Sequence, residues 1–164
     1  MNAKEEVVIT RSFDAPIDQV WRAWTDVEAL KQWWGPKGFD MFAATLDLKP
    51  DGMFHYGMRS PDGKEMWGKF VYREVTPMTK LVFVNSFSDE KGGTTPNPWM
   101  ATWPLEILNN LTLEEKDGKT TVTIKGGPIN ASAEQMAMFE QGKAGMEQGF
   151  EGTWSKLDEY LAKA

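Results

Sequence analysis

Four turn signatures constrain this chain more than anything else in it. "KPDG" at Lys49–Gly52, "SPDG" at Ser60–Gly63, "VTPMT" at Val75–Thr79 and "EKDG" at Glu115–Gly118 punctuate its middle. Proline presets the backbone at the start of a tight turn, and Asp and Gly tolerate the left-handed conformation that closes one. Between these signals the apolar period is that of a strand. Six runs are predicted, roughly Phe39–Leu48, Met53–Arg59, Lys64–Val75, Lys80–Phe87, Leu105–Glu114 and Lys119–Lys125. Strands joined by such turns form an antiparallel meander, and a half-buried sheet needs another element to cover its apolar face.

The two ends of the chain supply the cover. "EEVVITRSF", Glu5 to Phe13, is β-branched and reads as one more strand. After "DAP", Pro16 suits the first turn of a short helix carrying Val20, Trp21 and Trp24 on its apolar side. Thr25 and Glu28 have capping-box spacing and predict a second helix with Leu30, Trp33 and Trp34 as its apolar face, stopped by Gly35 and Pro36. Adjacent helical residues point about 100° apart, so Trp33 is expected in the core, and Trp34 either packs beside it or leans toward an opening. From Ser132 to Ala162 the helical period returns, with Ser132 and Gln135 as a capping box and Met136, Phe139, Met146, Phe150, Leu157 and Leu161 near one side. Glycines 142, 145, 149 and 152 share a face of this helix, and each costs about 1 kcal/mol relative to Ala. Either close approach of helix to sheet or room for a guest beneath the helix offsets that cost. The expected architecture is α+β: a strongly bent antiparallel sheet of about seven strands around a long C-terminal helix, with two short helices after strand one.

With 164 residues and 41% hydrophobic content, one domain with a sizeable core is expected. With a formal charge of -6 and no long basic run, neither nucleic acid nor an anionic membrane is expected as a partner. The chain has no cysteine, which removes disulfides, thiolate metal sites and thiol nucleophiles and suits a reducing cytosol. No apolar run is long enough for membrane insertion, and the N-terminal residues are unlike a secretory signal, so a cytoplasmic location is expected. Eight Trp, nine Phe and ten Met are many bulky, deformable side chains, suited to filling a core or to lining an adaptable pocket.

"RSFDAPIDQVWRAWTDVEALKQWWGP" resembles the N-terminal signature of the START-like superfamily, also called SRPBCC, birch-pollen-allergen-like or helix-grip. "WGKFVYREVTPMTKLVF", "SFSDE", "TWPLEI", "DGKTTVTI" and "MEQGFEGTWSKLDEYLA" extend the likeness over essentially the whole chain, closest to the branch named for the activator of heat-shock protein 90 ATPase homologue. The resemblance implies a deep, mostly apolar cavity between sheet and C-terminal helix, which binds lipids, sterols, hormones or polyketides in some relatives and has become a catalytic site of cyclase, aromatase or hydrolase type in others. Chaperone-activating members carry a separate N-terminal docking domain. This chain starts directly at its first strand, so a chaperone partner is not expected.

A hydrophobic small molecule is the expected partner. The residues expected to hold it are Trp34, Phe54, Tyr56, Met66, Phe70 and Tyr72, with Phe139, Met146 and Phe150 from the long helix. Asn85 and Asn109 interrupt otherwise apolar alternating sets, "LVFVNSF" and "LEILNNL", and an inward amide needs a partner from a bulged strand, water or a bound molecule. The segment Ser88–Pro104 is long for a hairpin connection, and its Trp99, Met100 and Trp103 are expected to close the cavity mouth or to meet another subunit in a homodimer. His55 is the only histidine, and alternation sets it opposite Phe54, Tyr56 and Met58, facing out if these face in. Asp47, Glu74 and Glu106 are expected on solvated faces. No metal-ligand spacing, phosphate loop or nucleophile motif is present, so neither a cofactor nor a catalytic set is expected.

Overall fold

The computed structural model describes residues 6–35, 38–98 and 100–163. Glu5, Pro36 and Trp99, expected as a strand start, a helix stop and part of a lid, lie outside those residues. The elements are β1 (Val7–Phe13), α1 (Ile17–Thr25), α2 (Val27–Trp33), β2 (Asp40–Leu46), β3 (Met53–Arg59), β4 (Glu65–Thr76), β5 (Lys80–Ser88), β6 (Thr94–Thr95), β7 (Glu106–Lys116), β8 (Lys119–Ile129) and α3 (Ala133–Lys163). The strands form one antiparallel sheet in the order β1-β8-β7-β5-β4-β3-β2, with two-residue β6 paired to β5. Turn chemistry accounts for the meander: Asp117 and Gly118, both at positive φ, make the two-residue link of the β7–β8 hairpin, in which Lys116 pairs with Lys119. The return of β1 to pair with β8 joins the two ends of the strand sequence, Val7 opposite Gly126 and Phe13 opposite Thr120.

Both short helices form, with a correction to how they meet. Thr25 ends α1 and its hydroxyl bonds back to the Trp21 carbonyl at 2.7 Å, so it does not cap α2. Asp26 takes the cap position of α2 without a side-chain hydrogen bond. Gly35, at a φ of 103°, supplies the left-handed residue just past Trp34. On α3 the predicted box is present: Ser132 N–H donates to Gln135 Oε1 at 2.9 Å and Gln135 N–H to Ser132 Oγ at 3.1 Å.

α3 spans 31 residues, about 46 Å at 1.5 Å per residue. It is held at both ends by separate clusters of buried side chains. Toward its C-terminus Trp154, Leu157 and Leu161 join Phe13, Trp24, Trp33, Phe54, Phe70, Tyr72 and Phe83 in the larger core. Near its N-terminus Phe139 packs with Val7 and Ile107, flanked by Trp103 and Met146. The stretch between these anchors contains Gly142, Gly145 and Gly149.

Candidate functional site

Beneath that stretch lies a cavity of about 570 Å³. The sheet forms its floor through Tyr56 and Met58 of β3, Met66 and Gly68 of β4, and Asn85 and Phe87 of β5; Trp34 stands at one end. Met100, Trp103, Pro104 and Leu105 border it on the loop side, and Gly142, Gly145, Met146, Gly149, Phe150 and Thr153 form the helical wall. A second hollow of about 90 Å³ lies alongside, lined by Val7, Ile9, Asn109, Ile124 and Phe139, among others. Asn85, Trp103, Ile107, Met146 and Phe150 line both, so they form the partition.

The glycines of α3 have different roles. A Cβ on Gly142 would stand 2.6 Å from the Trp103 ring, so this glycine allows the indole to lie against the helix. At Gly145 and Gly149 an added Cβ meets nothing within 4 Å. Close approach therefore explains Gly142, and open space borders the other two.

Strand alternation sets which side chains face inward, and the packing above them sets their depth. Tyr56 lies over Gly68, its cross-strand partner, where a Cβ would come within 2.6 Å of the phenol oxygen. Trp33 is fully buried, donating its indole N–H to the Ala23 carbonyl at 2.8 Å, whereas Trp34 borders the cavity. The Trp34 ring meets Phe70 at 5.0 Å and Tyr56 at 6.4 Å between centroids. Of the residues expected to line a pocket, Trp34, Tyr56, Met66, Asn85, Met146 and Phe150 border the large cavity, and Asn109 and Phe139 border the small one. Phe54, Phe70 and Tyr72 lie deeper, in the solid core: Phe70 stacks on Phe83 at 4.2 Å and against Phe54 at 5.2 Å. Met100 and Trp103 reach the cavity border, Met100 with an exposed side chain.

Alternation would also have found Gly68, inward with Met66, and Phe87, inward with Asn85. Leu105 and Ile107 share the alternating set of Asn109 and were legible in the same way, whereas Thr153 had no such signal, because a helix rotation places it.

The polar groups are few. Asn85 donates from Nδ2 to the Lys69 carbonyl at 3.0 Å, and Asn109 to the Ile107 carbonyl at 3.2 Å, so backbone acceptors satisfy one side of each amide. Burial pushes the Tyr56 phenol above its ordinary pKa, with the neighbouring Trp34 indole and Asn85 amide acting the other way. Trp34 Nε1 feels the phenol but makes no hydrogen bond of normal geometry, and it is buried. Tyr56 is the one titratable side chain among the described residues lining the large cavity. At the same end, Thr153 Oγ1 and Lys156 Nζ both donate to the Gly35 carbonyl, at 3.2 and 3.3 Å. Burial lowers the Lys156 pKa, partly opposed by Glu159.

His55 is on the other face of the sheet, stacked on Trp67 at 5.1 Å with Nε2 3.1 Å from the Asp89 carbonyl oxygen. Asp47 and Glu74 are exposed beside Lys49 and Lys80, and Glu106 meets Asn130 at the surface. Among the described residues no three His, Asp or Glu converge as metal ligands, and no helix is long and apolar enough to cross a membrane.

A curved antiparallel sheet, a long helix laid across it and an apolar hollow between the two define a helix-grip protein. The family model described as activator of Hsp90 ATPase homolog 1-like protein matches residues 14–162, and the chain belongs to that family. Among solved structures, protein Ms6760 from Mycobacterium smegmatis is 28% identical with a TM-score of 0.76, covering 96% of this chain and 91% of that one. A Staphylococcus epidermidis protein is 26% identical with a TM-score of 0.76, over 99% and 93% of the two chains. An AHSA1-like protein from Aeromonas hydrophila, at 17% identity and a TM-score of 0.69 over 96% and 92%, shares the fold. No curated protein matches the chain.

Proposed function

We propose that the protein binds an apolar or amphipathic small molecule, lipid-like or aromatic, in the cavity between sheet and α3. The observation that carries this reading is the open space under Gly145 and Gly149, facing a floor of Tyr56, Met58, Met66 and Phe87. Its volume lies within the range of about 300–1,000 Å³ usual for small-molecule sites. Burying apolar guest surface contributes about 25 cal/mol per Å² removed from water, and the flexible Met58, Met66, Met100 and Met146 let the wall adapt to different outlines. Met100 and Trp103 are assigned to the mouth, where they shield a guest or meet a second subunit.

An enzymatic reading would have to act through Tyr56. Burial keeps it a phenol at neutral pH, so the described lining offers a donor and no general base. The chaperone activity named in the family description draws no support from this cavity.

Native mass spectrometry of protein purified from its own host tests the reading. A co-purifying hydrophobe of stoichiometric mass is expected, and the same spectrum gives the subunit number. Absence of any bound compound, together with failure to bind a broad panel of fluorescent lipids and aromatics, overturns it.

A further inference from the structure

The end of the cavity at Trp34 and Tyr56 specifies more than greasiness. The Tyr56 hydroxyl lines the cavity there, with the Trp34 indole packed behind it. Trp34 Nε1 is buried without a partner of normal geometry, in a ring fixed by edge contacts to Trp33 at 5.7 Å and Phe70 at 5.0 Å. The Tyr56 hydroxyl is kept in place by Gly68 beneath it and by Phe54, whose ring centroid is 4.8 Å away. A purely apolar guest strips water from the Tyr56 hydroxyl without replacing its hydrogen bond, whereas a guest oxygen that accepts from it avoids that cost. Asn85 stands beside them with Nδ2 already committed to the Lys69 carbonyl.

Charge at this end is equally restricted. Among the described lining residues there is no Lys, Arg, His, Asp or Glu. A carboxylate or phosphate brought inside would lose its water without gaining a cation, and an ammonium would lack an anion. The nearby Lys156 directs its Nζ to the Gly35 carbonyl. The opposite border, formed by Met100, Trp103, Pro104 and Leu105, offers apolar side chains to the remainder of a guest.

We infer that the cavity selects uncharged apolar molecules carrying a carbonyl-type oxygen acceptor at one end, which enters first and accepts a hydrogen bond from the Tyr56 hydroxyl. This rests on the small-molecule reading above and narrows it to a chemical class. Simple hydrocarbons and free acids are the excluded alternatives.

Three naphthalenes of nearly equal shape separate these classes: acetylnaphthalene with a neutral carbonyl, isopropylnaphthalene without an acceptor, and naphthoate with a charge. Calorimetric titration of the full chain is expected to show acetylnaphthalene binding about tenfold more tightly than isopropylnaphthalene, the size of effect one well-made buried hydrogen bond gives. Naphthoate is expected to bind more weakly than either. In Tyr56→Phe, which removes one oxygen and keeps the ring, the preference for acetylnaphthalene should fall to about threefold or less while isopropylnaphthalene binding holds. Carbonyl infrared frequency in the complex should shift upward in the same variant, a change that loosened packing alone does not produce. Equal binding of acetylnaphthalene and isopropylnaphthalene by the parent protein overturns the donor-end assignment and leaves the carrier reading intact. Tightest binding of naphthoate overturns the charge argument and with it the proposed class. Binding of none of the three, with the lipid panel also silent, overturns both readings.

Discussion

Replacing Gly145 and Gly149 with alanine, singly and together, distinguishes open space from close packing under α3. Helical glycine is disfavoured against alanine by about 1 kcal/mol, because alanine has less backbone freedom to lose on folding. That gain is realised only if the new methyl has somewhere to go. At both positions an added Cβ meets no atom within 4 Å. Each substitution should therefore stabilise the protein by about 1 kcal/mol, or about 2–4 °C in Tm for a chain of this size, and the pair by about twice that. Gly142→Ala is the internal control, because its methyl would stand 2.6 Å from the Trp103 ring and must displace it. Overpacking of this kind costs about 1–3 kcal/mol, more than the propensity gain. Urea unfolding followed by far-ultraviolet circular dichroism measures all four variants, and an unchanged m-value shows that the midpoint shift reports stability. The three stabilised variants should also bind acetylnaphthalene severalfold more weakly, since their methyls intrude on the guest's space. If Gly145→Ala or Gly149→Ala loses stability as Gly142→Ala does, the helix lies against the sheet and the reasoning fails.

Gly68→Ala should destabilise by about 1–3 kcal/mol, because its methyl would sit within 2.6–2.8 Å of three Tyr56 atoms whose ring is boxed in by Phe54 and Trp34; urea unfolding measures the loss, and calorimetry should show the carbonyl preference gone. Thr153→Val keeps the shape but leaves the Gly35 carbonyl with Lys156 as its remaining side-chain donor, so a loss of about 1 kcal/mol is expected in the same unfolding assay. Burial raises the pKa of both Tyr56 and Tyr72, so between the unfolded value of about 10 and the folded values the unfolded chain holds fewer protons. Their contribution is therefore intact below about pH 10 and lost as pH rises through the folded values. Phenolate absorbance should rise together with loss of circular dichroism, and Tyr72→Phe should move that alkaline transition to higher pH.

How legible the fold was depended on whether the deciding interaction is local. Asp-Gly and Pro-Asp-Gly turns act within four residues, and the strands they separate appear within a few residues of their expected bounds. The Ser132–Gln135 box is equally local and is made. Thr25 shows the weakness of the same signal: its hydroxyl has a competing partner one turn back, the Trp21 carbonyl, and takes it. The pairing of β1 with β8 joins residues more than a hundred positions apart and leaves no local trace. Strand β6, two residues long, exists through its pairing with Phe87 and Ser88 of β5 and has no pattern of its own. Alternation placed Tyr56, Phe54, Phe70 and Tyr72 on one face, but only the course of α3 decides which of them meets the cavity and which lies under other rings.

That course explains why a hollow exists at all. A 31-residue helix is a stiff rod, and its two ends are fixed by side chains of very different reach. Trp154, Leu157 and Leu161 settle into the large aromatic core below α1 and α2, while Phe139 settles into a smaller cluster with Val7 and Ile107. Between those supports the sheet curves away from a rod that cannot follow it. Large side chains at 145 and 149 would fill the gap and add buried area to the core, yet the sequence has glycine at both. Filling the space would stabilise the protein twice, through helix propensity and through packing. Marginal stability alone does not require that both gains be forgone on the one face that borders a cavity. The occupant proposed above would account for the placement, and for a phenol donor, Tyr56, on the wall of an otherwise apolar hollow.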